Sequence, residues 1–245
     1  MLSPRHRLAF ALDYPSLREA RRTAEKVRDH VGVLKVGLEL FTREGPKAVA
    51  LGSELGSDIF LDLKLCDIPE TVERAVAAAG ELGVRFLTLH ASGGRRMLER
   101  AARRVDRDKS EVTLLAVTVL TSLDEEDLAA IGIGSSAEEQ ALRLARLAWE
   151  AGIPGIVCSP MEARSMRQAV HTKLYLVTPG IRAPGSPAYD QKRTATASEA
   201  VSAGADLLVV GRAIRDAADP AAAAWQISRE IESALSSAEA DERRS

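Results

Sequence analysis

Cysteine is scarce in this sequence: Cys66 and Cys158 are the only two, far apart and each in apolar surroundings. Such a pair offers neither a disulfide framework nor a metal-ligand spacing. It reads as two reduced, buried thiols of a cytoplasmic protein. Net charge is also small, formally −2 at pH 7. No global basic field invites nucleic acid, so any anion must be caught by a local site. Long apolar runs are missing too. The N-terminal "MLSPRHRLAFALDYP" holds one short apolar run cut by Asp13, which fits neither a signal peptide nor a membrane span. No linker, low-complexity tract or composition shift divides the chain.

What is present is globular composition, 46% hydrophobic and 28% charged over 245 residues. Eight short apolar runs recur: 7–13, 32–37, 58–64, 85–90, 113–120, 155–160, 173–180 and 207–212. Helical patterns alternate with them, at 16–29, 70–82, 136–151 and 220–235. Strand–helix alternation predicts a parallel sheet. Eight units in this length predict a closed (β/α)8 TIM barrel rather than a doubly wound sheet. The whole chain, 1–245, reads as one barrel domain whose tail, "SSAEADERRS" from about residue 236, is frayed and solvated. Asp13, Lys64, His90, Thr121, Ser159, Thr178 and Arg212 all fall at or near the C-terminal ends of their strands. That end of a barrel carries the active site.

One segment breaks the apolar rule. "FLDLKLCDIP", 60–69, begins like a buried strand yet carries Asp62, Lys64 and Asp67. Alternation puts Phe60, Asp62 and Lys64 on one face and Leu61, Leu63 and Leu65 on the other, under the helices. Asp62 and Lys64 then point into the barrel mouth together. Lys35 on the preceding strand can reach the same place, and Asp67 follows before the helix start at Ile68-Pro69. Two lysines and two aspartates make a neutral network, which offsets the cost of burying each ion. An ion-pair cluster that merely satisfies itself is the bland alternative. Buried ion pairs stabilise less than apolar packing, so four charges converging on a barrel mouth favour function.

A second region, "YLVTPGIRAPGSPAYDQKR" at 175–193, predicts a long loop over 179–190, bracketed by Arg182 and Gln191. Gly211-Arg212 ends the eighth strand. Barrels often hold phosphate after strands seven and eight, and arginine adds a bidentate donor. A solvated Arg after a glycine turn is the alternative. His90 reads as a hydrogen-bonded structural histidine or as a ligand or base, with no partner at metal spacing. In "TSLDEED", 121–127, Thr121 or Ser122 is expected to cap a helix with acids in its first turn, or to offer hydroxyls to a ligand. "RRMLERAARR", 95–104, reads as a solvated basic helix face.

"LDLKLCDIPETV" is similar to the D-x-K-x-x-D-I-P-x-T signature of the orotidine 5'-monophosphate decarboxylase family. "FALD", "LKVG", "AVTVLTS", "VTPGIR", "DQKR" and "LVVGR" resemble that family's other blocks in the same order, from about residue 8 to 231. The likeness is to its shorter, bacterial-type form. Leu65-Cys66 stands where bacterial relatives commonly have Phe-His, "TATA" replaces a Met-Thr-Pro type segment, and "GRAI" replaces "GRPI"; no charged position is touched.

The resemblance implies decarboxylation of orotidine 5'-monophosphate to uridine 5'-monophosphate in pyrimidine biosynthesis, with no cofactor and no metal. It implies that Asp13 and Lys35 bind the ribose hydroxyls. Asp62, Lys64 and Asp67 would complete the charged network, with Lys64 as proton donor. Ile68 and Thr71 would line the ribose and base site, Thr121 and Ser122 would meet the pyrimidine edge, and Arg182, Gln191, Gly211 and Arg212 would hold the phosphate. It also implies a homodimer in which Asp67, Ile68 and Thr71 serve the partner's site. Two other readings stay open. One is a magnesium-dependent sugar-phosphate lyase or aldolase of the same barrel superfamily, against which the I-P-x-T continuation and the "TPGIR…DQKR" blocks argue. The other is a non-catalytic nucleotide-binding barrel, which would not need a lysine caged by carboxylates.

Overall fold

The computed structural model describes residues 3–182 and 194–242. All eight expected strands form: β1 (Leu8–Ala11), β2 (Val33–Gly37), β3 (Asp58–Leu65), β4 (Phe86–His90), β5 (Thr113–Val117), β6 (Gly155–Val157), β7 (Tyr175–Thr178) and β8 (Leu207–Val210). They close in sequence order into a parallel barrel, with Phe10 of β1 opposite both Leu34 of β2 and Val210 of β8. Parallel neighbours need crossover connections, and the helices between strands supply them. Local sequence fixes where those helices begin. Ser16 Oγ accepts from the Glu19 amide at 3.3 Å ahead of helix Leu17–Val27. Ser136 and Glu139 form a reciprocal capping box at helix Ala137–Glu150. Pro69 opens helix Pro69–Glu81, where a missing N–H costs nothing.

Apolar residues fill two layers. Leu8, Phe10, Leu34, Leu61, Leu87 and Leu89 point outward and pack under the helices. Leu63 and Leu65 join them as expected. Ala9, Val33, Phe60, Phe86, Leu115, Val177 and Val209 fill the barrel interior. There Phe86 stacks on Tyr175 at 5.5 Å between centroids and meets Phe60 edge-on at 6.1 Å. Each fully buried large side chain contributes about 1.5–3 kcal/mol of transfer free energy. With this plug beneath, the polar residues at the C-terminal rim stand over a solid floor.

Three details differ from the sequence reading. Cys158 is buried but Cys66 is exposed, because it lies just beyond the end of β3. The helix Glu125–Ala130 is capped by Asp124 in a box with Asp127, not by Thr121 or Ser122. The acids of that segment supply their own cap and leave both hydroxyls in the preceding turn. Finally, β3 does not alternate evenly. Leu61 pairs with Leu87 and Leu65 with Leu89, so Asp62, Leu63 and Lys64 bulge opposite the single residue Thr88. The C-terminal helix runs Pro220–Glu242. Among the described residues no helix is long and apolar enough to cross a membrane.

Candidate active site

Four charges converge on the barrel mouth. Lys35 Nζ lies 3.3 Å from Asp13 Oδ1 and 3.6 Å from Asp62 Oδ2, and Lys64 Nζ lies 2.8 Å from Asp62 Oδ1. The result is an alternating row, Asp13–Lys35–Asp62–Lys64, drawn from the ends of β1, β2 and β3. Gly37 leaves room for it: a Cβ there would stand 3.1 Å from Lys35 Nζ. Burial pushes the Asp62 carboxyl up, but Lys35, Lys64 and the hydrogen bonds from Lys64 and Thr88 outweigh it and hold it below the ordinary carboxylate range. His90 is shifted down by burial and by the Lys64 ammonium, against an opposing pull from Asp62.

The row forms one wall of a cavity of about 430 Å³. Thr121, Arg182, Gly211 and Arg212 line the same cavity, with Phe60, Val119 and Cys158 among its apolar surfaces. Its size and mixed lining suit a small polar ligand. Arg182 is buried, and its Nη1 donates to the Ile181 carbonyl at 2.8 Å.

Not every expected residue joins the row. Within the chain, the second aspartate of the network is Asp13 rather than Asp67. Asp67, Ile68, Thr71 and Ser122 are exposed and off the cavity lining, and Asp67 Oδ1 accepts from the Ile68 amide at 2.6 Å. The cause is position: Asp67 follows the strand end and turns into the next helix start. His90, Ser159 and Thr178 also stay off the lining. Gln191 and most of the expected loop 179–190 lie outside the described residues. Among the described residues no group of three His, Cys, Asp or Glu side chains is placed to hold a metal ion.

Two residues of the site went unmarked by the sequence. Arg215 lines the cavity, pairs with Asp216 at 2.6 and 3.0 Å, and donates to the Asp13 carbonyl at 3.2 Å. Its spacing of three from Arg212 was the available signal, since such residues share a helix face. Thr88, fully buried on β4, touches both Lys64 and Asp62. Only its alternation with Leu87 and Leu89 hinted at an inward hydroxyl.

A closed parallel barrel with lysines, aspartates and arginines around a cavity at its C-terminal rim defines a barrel enzyme for a small anionic substrate. The sequence model of the "Orotidine 5'-phosphate decarboxylase / HUMPS family" matches residues 6–227, and the chain belongs to that family. It is 51% identical over 226 residues to an orotidine 5'-phosphate decarboxylase of Anaeromyxobacter sp. (strain K), covering 92% of this chain and 98% of the relative. It is 47% identical over 230 residues to the Trichlorobacter lovleyi enzyme of that name, covering 93% and 95%. The crystal structure of orotidine 5'-phosphate decarboxylase from Lactobacillus acidophilus superposes with a TM-score of 0.80 at 35% identity, covering 91% of this chain and 98% of that one.

Proposed function

We propose that this chain decarboxylates orotidine 5'-monophosphate to uridine 5'-monophosphate in pyrimidine biosynthesis, without a cofactor. The observation that carries the reading is the row Asp13–Lys35–Asp62–Lys64 on one wall of a cavity that also holds Arg182 and Arg212. Loss of carbon dioxide from C6 of the orotate ring leaves a vinyl-type carbanion with no electron sink beyond it. Protein electrostatics must stabilise that charge. The Lys64 ammonium does so as a preorganised cation and then protonates the carbon. Asp62 fixes Lys64 and faces the departing carboxylate, whose release relieves their repulsion. Asp13 and Lys35 bind the ribose hydroxyls, and Thr121, on the cavity lining, meets the pyrimidine edge. Arg182, Gly211 and Arg212 hold the phosphate together with Gln191. That grip, remote from C6, supplies binding energy for closing the site.

The active unit in this reading is a cytoplasmic homodimer. Asp67, Ile68 and Thr71 are exposed at the rim, off their own cavity. Leu38, Ile68 and Met161, past the ends of β2, β3 and β6, are 56%, 67% and 70% exposed, an apolar rim suited to facing a second copy. A two-fold contact between mouths delivers Asp67, Ile68 and Thr71 to the partner's site.

The direct test adds orotidine 5'-monophosphate and follows its absorbance, with and without a strong chelator. Turnover insensitive to the chelator is expected. No turnover sinks the reading, and turnover lost on chelation but restored by magnesium favours the sugar-phosphate lyase.

A further inference from the structure

We propose that Thr88 is a positioning residue of this site, its single hydroxyl locking the Lys64 backbone to the Asp62 carboxylate. The inference deepens the decarboxylase reading and rests on it. It starts from the bulge in β3. Between the paired positions Leu61↔Leu87 and Leu65↔Leu89, β3 has three residues and β4 has one. The extra residues take Lys64 out of the regular ladder, with φ of 51°. A lysine in that left-handed region is strained, so neighbouring structure must hold it there.

Thr88 is the residue opposite the bulge. Its Oγ1 accepts from the Lys64 amide at 2.9 Å, the bond the ladder no longer supplies. The same hydroxyl donates to Asp62 Oδ1 at 2.9 Å. Asp62 Oδ1 in turn receives Lys64 Nζ at 2.8 Å. A closed ring results: Lys64 amide to Thr88 hydroxyl, hydroxyl to Asp62, Asp62 back to the Lys64 ammonium. Accepting from the amide polarises the hydroxyl and strengthens its donation. Thr88 is fully buried, so water cannot take its place in the ring. One hydroxyl therefore sets both where the Lys64 side chain begins and which way the Asp62 carboxylate faces.

The groups facing Asp62 are Lys35 from β2, Lys64 from β3, and Thr88 and His90 from β4, with Asp13 beyond Lys35. Thr88 is one of the donors that hold the Asp62 carboxyl below its ordinary range. Removing the hydroxyl therefore moves that titration upward.

Thr88→Val keeps shape and removes the hydroxyl, and Thr88→Ser keeps the hydroxyl and removes a methyl. Valine is expected to lower kcat roughly 10²-fold through misplacement of Lys64, with KM changed by less than about threefold. Serine is expected to stay within about threefold of wild type in kcat. The acid limb of kcat/KM moves to higher pH in the valine protein only. A ¹³C titration of the Asp62 carboxyl, which needs no turnover, reads the same upward move. Equal losses in both variants would assign the effect to methyl packing and overturn the proposal. A valine protein with wild-type kcat and an unmoved Asp62 titration would overturn it as well. Should the valine protein fail to fold, Thr88→Ala against Thr88→Ser gives the same comparison. If wild type does not turn over orotidine 5'-monophosphate, the decarboxylase reading fails, and the carboxyl titration alone decides whether Thr88 positions the pair.

Discussion

The barrel carries a half-buried cation–carboxylate cluster at each end, and the two behave as opposites. At the mouth, the Lys64 side chain is 29% exposed; at the N-terminal rim, that of Arg167 is 22% exposed. Burial does not distinguish them. Partners do. Arg167 donates to the carbonyls of Gly204, Thr172 and Leu174 and to Asp206, and Asp206 also accepts from the Leu176 amide at 2.8 Å. Those bonds tie the loops that lead into β7 and β8, and they use the whole planar fork of the guanidinium. Lys64 has one carboxylate partner among the described residues and faces a cavity. A cation saturated by fixed backbone oxygens holds the fold together. A cation held from one side, with open volume on the other, is set to meet a ligand.

Breaking the mouth should cost chemistry without stability. Lys64→Ala is expected to lower turnover by at least about 10³-fold, at unchanged circular dichroism, because a preorganised charge is removed from the reacting carbon. Activity within tenfold of wild type would erase the contrast between the two ends. The same variant tests sharing of the site when mixed with Asp67→Ala under subunit exchange. Random pairing makes about half the dimers mixed, each with one intact site, so roughly a quarter of wild-type activity should return. No recovery, with mixed dimers confirmed by mass spectrometry, returns Asp67 to its own chain.

The grip on the phosphate is expected to matter less than Lys64. Arg212→Ala should lower kcat/KM on the nucleotide roughly 10²-fold and change turnover of the phosphate-free nucleoside little. Equal losses on both substrates would remove Arg212 from phosphate binding. The N-terminal rim should show the reverse profile. Arg167→Ala is expected to destabilise by about 2–4 kcal/mol, because the part-buried carbonyls of Gly204 and Leu174 and the Asp206 carboxylate lose their donor. The melting temperature should fall by roughly 5–15 °C, with turnover per folded molecule unchanged. A catalytic loss at constant stability would show that the two ends are not separable.

The mouth's half of this contrast is readable from the sequence; the Arg167–Asp206 cluster is not. The eight apolar runs are the eight strands, and the charged positions of 58–64 are unmistakable against their leucines. The bulge was not readable. Alternation predicted Asp62 and Lys64 on one face of a regular strand, and nothing in "FLDLKL" marks the two extra residues opposite Thr88. A bulge is a relation between two strands, and its partner lies 24 residues away. The helix cap at 121–127 is not legible for a local reason: four polar candidates compete there, and only the backbone path selects Asp124. Cys66 is exposed despite its apolar neighbours in sequence, because such neighbours say little about a residue just past a strand end.

By itself, the sequence determined the barrel and the chemistry available at its mouth. Short continuous apolar runs alternating with helical segments admit few other ways to bury their faces, and Asp-x-Lys in such a run is costly unless paired. The tertiary structure decided which charges meet. Asp13 rather than Asp67 completes the row within one chain, because closure of the ring brings the ends of β1, β2 and β3 side by side. Thr88 and Arg215 reach the site for the same reason. Their positions depend on the register between strands and on the turn after β8, and register is set by how the whole barrel packs, not by any single segment.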